Sequence, residues 1–138
     1  MSLSEAIKAQ ITLLVRLKGL LDTELKLISA RDAEALLKLV EEKLQVLELV
    51  QEQDVKVAEL YNAETVISEN TEALLNQAKQ LLEDCKFSTN VNAKAVEQGQ
   101  LRLEHLRKLL IEVRNKESLT YDKTGRAQGG SKMGTIKA

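Results

Sequence analysis

Apolar residues in this chain recur at intervals of three and four for most of its length. The first run is Ile7, Ile11, Leu14, Leu17, Leu21, Leu25 and Ile28. That spacing keeps one face of a helix apolar, and Leu13, Leu20 and Leu27 widen the face. A wide stripe predicts packing against two neighbours. Ser2 and Glu5 stand three apart at the start, the spacing of a capping box, in which each side chain satisfies the other residue's free backbone N–H. A break follows at Ala30-Arg31-Asp32, with Asp32 as N-cap and Glu34 suited to the positive end of the helix dipole.

The second helix carries Leu36, Val40, Leu44, Leu47, Val50, Val57 and Leu60 or Tyr61. Gln51-Glu52-Gln53-Asp54 interrupts it with polar residues that are either exposed or turned towards a partner. The next turn is placed at Tyr61-Asn62-Ala63, with Asn62 as cap and Ser68 and Asn70 as rival caps. The third stripe is Ile67, Leu74, Ala78, Leu81 and Cys85. The last is Val96, Gly99, Leu103, Leu106, Leu110 and Val113. Phe87 to Asn92, rich in capping residues, lies between them, yet the spacing across it stays close to helical. Two readings remain open: one helix of about 50 residues, ~75 Å long, or two helices meeting near Asn90. The expected fold is therefore all-α, an antiparallel bundle of three or four long helices over residues 1–115. A mobile, basic, Gly-rich tail is expected over 116–138.

Composition agrees. The 138 residues include no Pro, no Trp and six Gly, four of them in the last 14 positions. No segment alternates apolar and polar residues as a half-buried strand does. Residues 1–115 hold 15 basic and 19 acidic side chains, and residues 116–138 hold 5 and 2. Neither balance is the large basic footprint of a nucleic-acid binder. No run approaches the 18 or so apolar residues of a membrane span, and Met1 to Gln10 lacks a basic start and apolar core. A cytoplasmic protein is expected.

Catalytic chemistry has little to stand on. His105 is the one histidine and has no Cys, Asp or Glu at metal-ligand spacing, so no metal and no cofactor are expected. Cys85 falls on an apolar stripe and reads as a small buried hydrophobe. Glu41-Glu42 and Glu83-Asp84 read as solvated helix faces, as do Arg102, Arg107, Lys108, Arg114 and Lys116, interleaved with Glu104 and Glu112. The chain is expected to bind proteins and not to be an enzyme. Tyr121, one of three aromatics, either anchors an interface or folds back on the bundle end.

Three stretches carry a resemblance. Leu20 to Lys43, a helix, a short Asp-bearing turn at Asp32 and a second Leu- and Lys-bearing helix, resembles the first hairpin of the FlgN-like flagellar export chaperones. Cys85 to Val96, with Asn90 and Asn92, is similar to that family's Asn-rich stretch before its last helix, with Asn92-Ala93 where the family often has Asn-Gly. Leu119 to Arg126 looks like its tail signature, a tyrosine followed by an acidic turn and a glycine. The match weakens between Val55 and Leu74.

The resemblance implies a chaperone of the flagellar type III export pathway. Its clients would be the hook–filament junction proteins, whose terminal helices it would shield and deliver to the membrane export gate. Val96, Leu103, Leu106, Leu110 and Val113 are the expected client-binding residues, with ordinary core packing as the competing role. Leu119, Tyr121, Asp122 and Gly125 are expected to dock the gate's cytoplasmic domain. A homo-oligomer is left open, and the alternative function is a non-catalytic helical scaffold or coiled-coil subunit without a delivery role.

Overall fold

The computed structural model of the chain describes residues 1–123, with side chains to residue 117. Three helices make it up: α1 Leu3–Ala30, α2 Ala33–Ala63 and α3 Glu69–Lys123. No strand occurs among the described residues, so the fold is the all-α bundle that the stripes predict. Of residues 64–115, open between one helix and two, those from Glu69 on belong to the single 55-residue helix α3, and 64–68 lie in the turn before it.

The helix ends follow from local chemistry. Ser2 Oγ accepts the Glu5 N–H, and the Glu5 carboxylate accepts the Ser2 N–H, closing the capping box of α1. Arg31 stops that helix in the left-handed conformation, φ 57°, and its N–H returns to the Ile28 and Leu27 carbonyls. Asp32 then caps α2 by accepting the Ala35 N–H at 3.1 Å. The third boundary differs from expectation. Asn62 lies inside α2, which runs to Ala63, and Ser68 is the residue whose Oγ accepts the Thr71 N–H before α3. Ser68 wins because the five residues 64–68 leave the chain in extended and bent conformations, where a side-chain oxygen can reach forward to an orphan donor. At its far end α3 continues through Lys123, past the expected limit at Asn115.

The chain divides into two units, Met1–Val96 and Glu97–Ala138. In the first unit, α1 and α2 form an antiparallel hairpin, and the first part of α3 runs parallel to α1. Cys85 lies at Leu14 and Asn92 at Leu21, a constant separation of 71 residues. The core is two clusters along one axis. Leu3, Ala6, Ile7, Leu14, Val57 and Ala78 form one, and Leu17, Leu21, Val46 and Cys85 the other. Ile7, Leu14, Leu21 and Val46 are sealed from solvent, each worth roughly 1.5–3 kcal/mol of burial.

The buried line on α2 keeps Val50, Val57 and Leu60 of the expected stripe but departs from it at Val40 and Leu44. It runs Leu39, Val46, Gln53 and Val57, with Lys43, Val50 and Leu60 half-buried between them, while Val40 and Leu44 are exposed. The observed spacing alternates four and three without a break. That is the repeat that keeps a seam on its neighbour as helices coil left-handedly. On α1 the same alternation gives Leu3, Ile7, Gln10, Leu14, Leu17, Leu21 and Glu24. A purely apolar reading finds Ile7, Leu14, Leu17 and Leu21 but misses the inward positions that Gln10, Glu24, Lys43 and Gln53 occupy.

Those polar residues are bonded within the bundle. Gln53 Nε2 donates to the Ala6 carbonyl at 2.9 Å, and Gln10 Nε2 donates to Asp54 at 3.1 Å. Of the polar interruption of α2, Gln53 and Asp54 therefore meet α1, while Gln51 and Glu52 are exposed. Further along, Asn92 Nδ2 donates to the Leu21 carbonyl at 3.0 Å and to Glu24 Oε1 at 2.7 Å, and Lys43 Nζ donates to Glu24 Oε2 at 2.7 Å. One carboxylate thus ties all three helices together. No buried side-chain polar atom among the described residues lacks a partner.

Candidate functional site

Two recesses open on the first unit. One, about 320 Å³, lies between α2 and α3 above α1 and is lined by Leu14, Val50, Val57, Leu75, Ala78 and Leu82, with Asp54 and Lys79 among its polar residues. The other, about 280 Å³, is bordered by Leu25, Phe87, Val91 and Asn92, with Lys18, Asp22 and Asp84 on its polar side. Phe87 is 71% exposed there. Both are shallow troughs between helices, and neither encloses a set of converging catalytic groups.

Cys85 takes the inert role expected of it. It is buried, its Sγ lies 3.6 Å from the Leu14 carbonyl, and burial, above all, pushes its thiol pKa up, with Lys18 opposing and Asp84 and Asp22 assisting. A raised pKa withholds the thiolate that reactive cysteines need. His105 lies on an exposed stretch of α3.

The second unit, from Glu97 on, presents a different surface. Leu101, Leu103, Leu106, Leu109, Leu110 and Val113 are between 43% and 58% exposed. Only Gly99, Ile111 and Asn115 are part-buried in residues 97–117. Val96, which ends the first unit, is exposed too. The expected client residues are therefore solvent-facing apolar positions on one helix, spaced so that Leu103, Leu106, Leu110 and Val113 share a face. Two of their apolar neighbours, Leu101 and Leu109, were outside the expected set. Their steps from the main stripe hid them, and exposure reveals them.

Of the expected gate-docking residues, Leu119, Tyr121 and Asp122 fall within the last turns of α3. Gly125 and the Gly-rich segment after it lie outside the described residues, as does the end of the expected turn from Asp122 to Gly125. The repeat itself changes along α3. The line Ala78, Cys85, Asn92 continues at sevens through Gly99, Leu106 and Val113, while its companion line moves from Leu81, Ser88 and Ala95 to Leu103 and Leu110. Two successive steps of four, from 95 to 99 to 103, make the change, the pattern called a stutter.

A bundle of long helices with an exposed heptad-spaced apolar face is the architecture of a protein that binds other helices. A family model described as FlgN protein matches residues 1–129. The chain belongs to the FlgN family, whose role is that of flagellar export chaperones. Neither the curated proteins nor the solved structures include a match to the chain.

Proposed function

We propose that this chain is a cytoplasmic chaperone that binds the terminal helices of hook–filament junction proteins and delivers them to the flagellar export gate. The observation that carries the proposal is the exposure of Leu103, Leu106, Leu110 and Val113 on an otherwise well-formed helix. Four large apolar side chains in register, half open to water, are a contact surface in waiting. A client helix anchors on such a face through its own residues at intervals of three and four.

Covering the exposed part of each side chain contributes roughly 1 kcal/mol. Association and ordering offset part of that sum, so this face alone gives binding weaker than the roughly 8 kcal/mol of a micromolar complex. Reversible binding of that strength suits a protein that must let its cargo go. No step of this role requires bond chemistry. Family membership supports the general role, and the exposed face supports this particular location for the client.

Leu119, Tyr121 and Asp122, with Gly125, supply a second docking element for the gate in this reading. A tyrosine offers a large contact area with few rotors to freeze and one hydroxyl for a hydrogen bond. The test uses the full chain and a peptide of a junction protein's terminal helix, measured by calorimetry. Leu106→Asp is expected to leave helix content and melting unchanged and to remove client binding. Tyr121→Ala is expected to spare client binding and weaken binding to the gate's cytoplasmic domain. Unchanged client affinity in Leu106→Asp, or a variant that unfolds, defeats the location. Unchanged gate affinity in Tyr121→Ala defeats the second site.

A further inference from the structure

The exposed face of α3 has a charge pattern on its two flanks that selects what can lie on it. Gly99, Leu106 and Val113 form one line of the face, and Leu103 and Leu110 the other. The positions that flank these lines, and that would face a partner helix's own flanks, are Arg102 and Leu109 on one side and Gln100, Arg107 and Arg114 on the other. All five are exposed. Arg102, Arg107 and Arg114 make no ion pair among the described residues. Of the carboxylates of this stretch, Glu97, Glu104 and Glu112 stand further round the helix at positions turned away from the face, and Glu117 falls at its end, seven residues beyond Leu110 on the same line.

We infer that the occupant of this face is an amphipathic helix whose flanking positions carry Asp and Glu. Flanking charges set partner choice in heptad pairs, and three arginines with no carboxylate at the named flanking positions favour one sign only. The inference rests on the proposed client role of the face and adds the chemistry of the client. A second copy of the chain is disfavoured by the same pattern. Parallel pairing would set Arg102 against Arg107, antiparallel pairing would set arginine flanks against one another, and like charges across an interface repel. An anionic membrane surface is disfavoured as well. Residues 97–117 hold five basic and four acidic side chains, a net of +1, and no aromatic residue, whereas interfacial helices concentrate Lys and Arg on the polar face and bring Trp or Phe to the other.

The experiment uses the full chain and two synthetic helical peptides with the same leucine face, one flanked by glutamates and the other by lysines. Binding is read by fluorescence anisotropy. The glutamate peptide is expected to bind about tenfold more tightly, as three modest charge pairs allow. That preference should shrink as salt is raised. The variant Arg102→Glu/Arg107→Glu/Arg114→Glu, changed only at exposed positions, should keep the helix content and reverse the preference.

Equal affinity for the two peptides overturns the inference. If Leu106→Asp then abolishes both, the face still docks helices and the proposed function stands without its charge selection. If Leu106→Asp affects neither peptide, the face is not the client site, and that reading falls as well. Binding to phosphatidylglycerol vesicles that is lost in Leu106→Asp, with no peptide binding, overturns it in favour of a lipid surface. So does a dimer in sedimentation that Leu106→Asp dissolves, in favour of a second copy.

Discussion

Replacing Asn92 by leucine should destabilise the chain far more than replacing Asn92 and Glu24 together. Asn92 is 4% exposed and donates both to the Leu21 carbonyl and to Glu24. Leucine at 92 removes one hydrogen bond to a neutral acceptor, worth about 1 kcal/mol, and one to a charged acceptor, worth about 1.5–3 kcal/mol. It also sets hydrocarbon against a carboxylate that is itself buried. Lys43 remains as the only partner of Glu24 among the described residues, so the expected loss is about 3 kcal/mol. For a chain of this length that corresponds to a fall in Tm of roughly 10 °C.

In Glu24→Leu/Asn92→Leu the carboxylate is gone, and the half-buried Lys43 can swing its ammonium into water along its own stem. Apolar replacement of a whole buried polar set is often close to neutral. The double variant should therefore lose no more than about 1 kcal/mol. Urea unfolding of the wild type, both single variants and the double variant gives the coupling energy, provided the denaturant slope is unchanged. Additive losses would refute the claim that one carboxylate ties the three helices together.

Other consequences are local. A Cβ at Gly19 meets nothing within 4 Å, so Gly19→Ala should raise stability by about 0.5–1 kcal/mol in the same urea assay. Asp32→Ala removes the cap on Ala35 and should cost about 1 kcal/mol. The Cys85 thiol has its pKa raised by burial, so the unfolded chain loses that proton first as pH rises. The stability tied to Cys85 should be complete below the usual thiol range and decline as pH climbs through and beyond it, a dependence that Cys85→Ala should remove from unfolding curves recorded between neutral and alkaline pH.

Much of this fold is legible in the chain. The capping box at Ser2 and Glu5 and the Asp32 break lie within a few residues of the elements they delimit, so sequence spacing alone finds them. Cys85 and Ala78 were legible too, because a helix of steady period keeps its inward positions predictable. Gln10, Glu24, Lys43 and Gln53 were not. A polar residue in a seam looks like an interruption until its partner, 19 to 47 residues away in sequence, is known. Missing them shifted the expected stripe of α2 onto Val40 and Leu44. The length of α3 was also beyond the pattern, since Ser88, Asn90 and Asn92 suit a cap as well as a helix. Asn92 spends its amide on α1 and not on a helix end.

The candidate face on α3 was readable as a stripe but not as a surface. Periodicity says which residues share a side, and only packing says whether that side is covered. Leu103 and Leu17 have the same spacing relations in the sequence, yet one is 58% exposed and the other 4%.

Hydrogen exchange on the full chain, alone and with a junction-protein terminal helix, tests the central claim most directly. Amides on an exposed helix open locally at little cost, whereas those of a core open only with the whole fold. Free, residues 99–114 should exchange much faster than residues 6–21 of α1; with the client bound, protection should rise chiefly over 99–114. Slow exchange there in the free chain, or client protection confined to residues 10–82 around the trough between α2 and α3, would contradict the account.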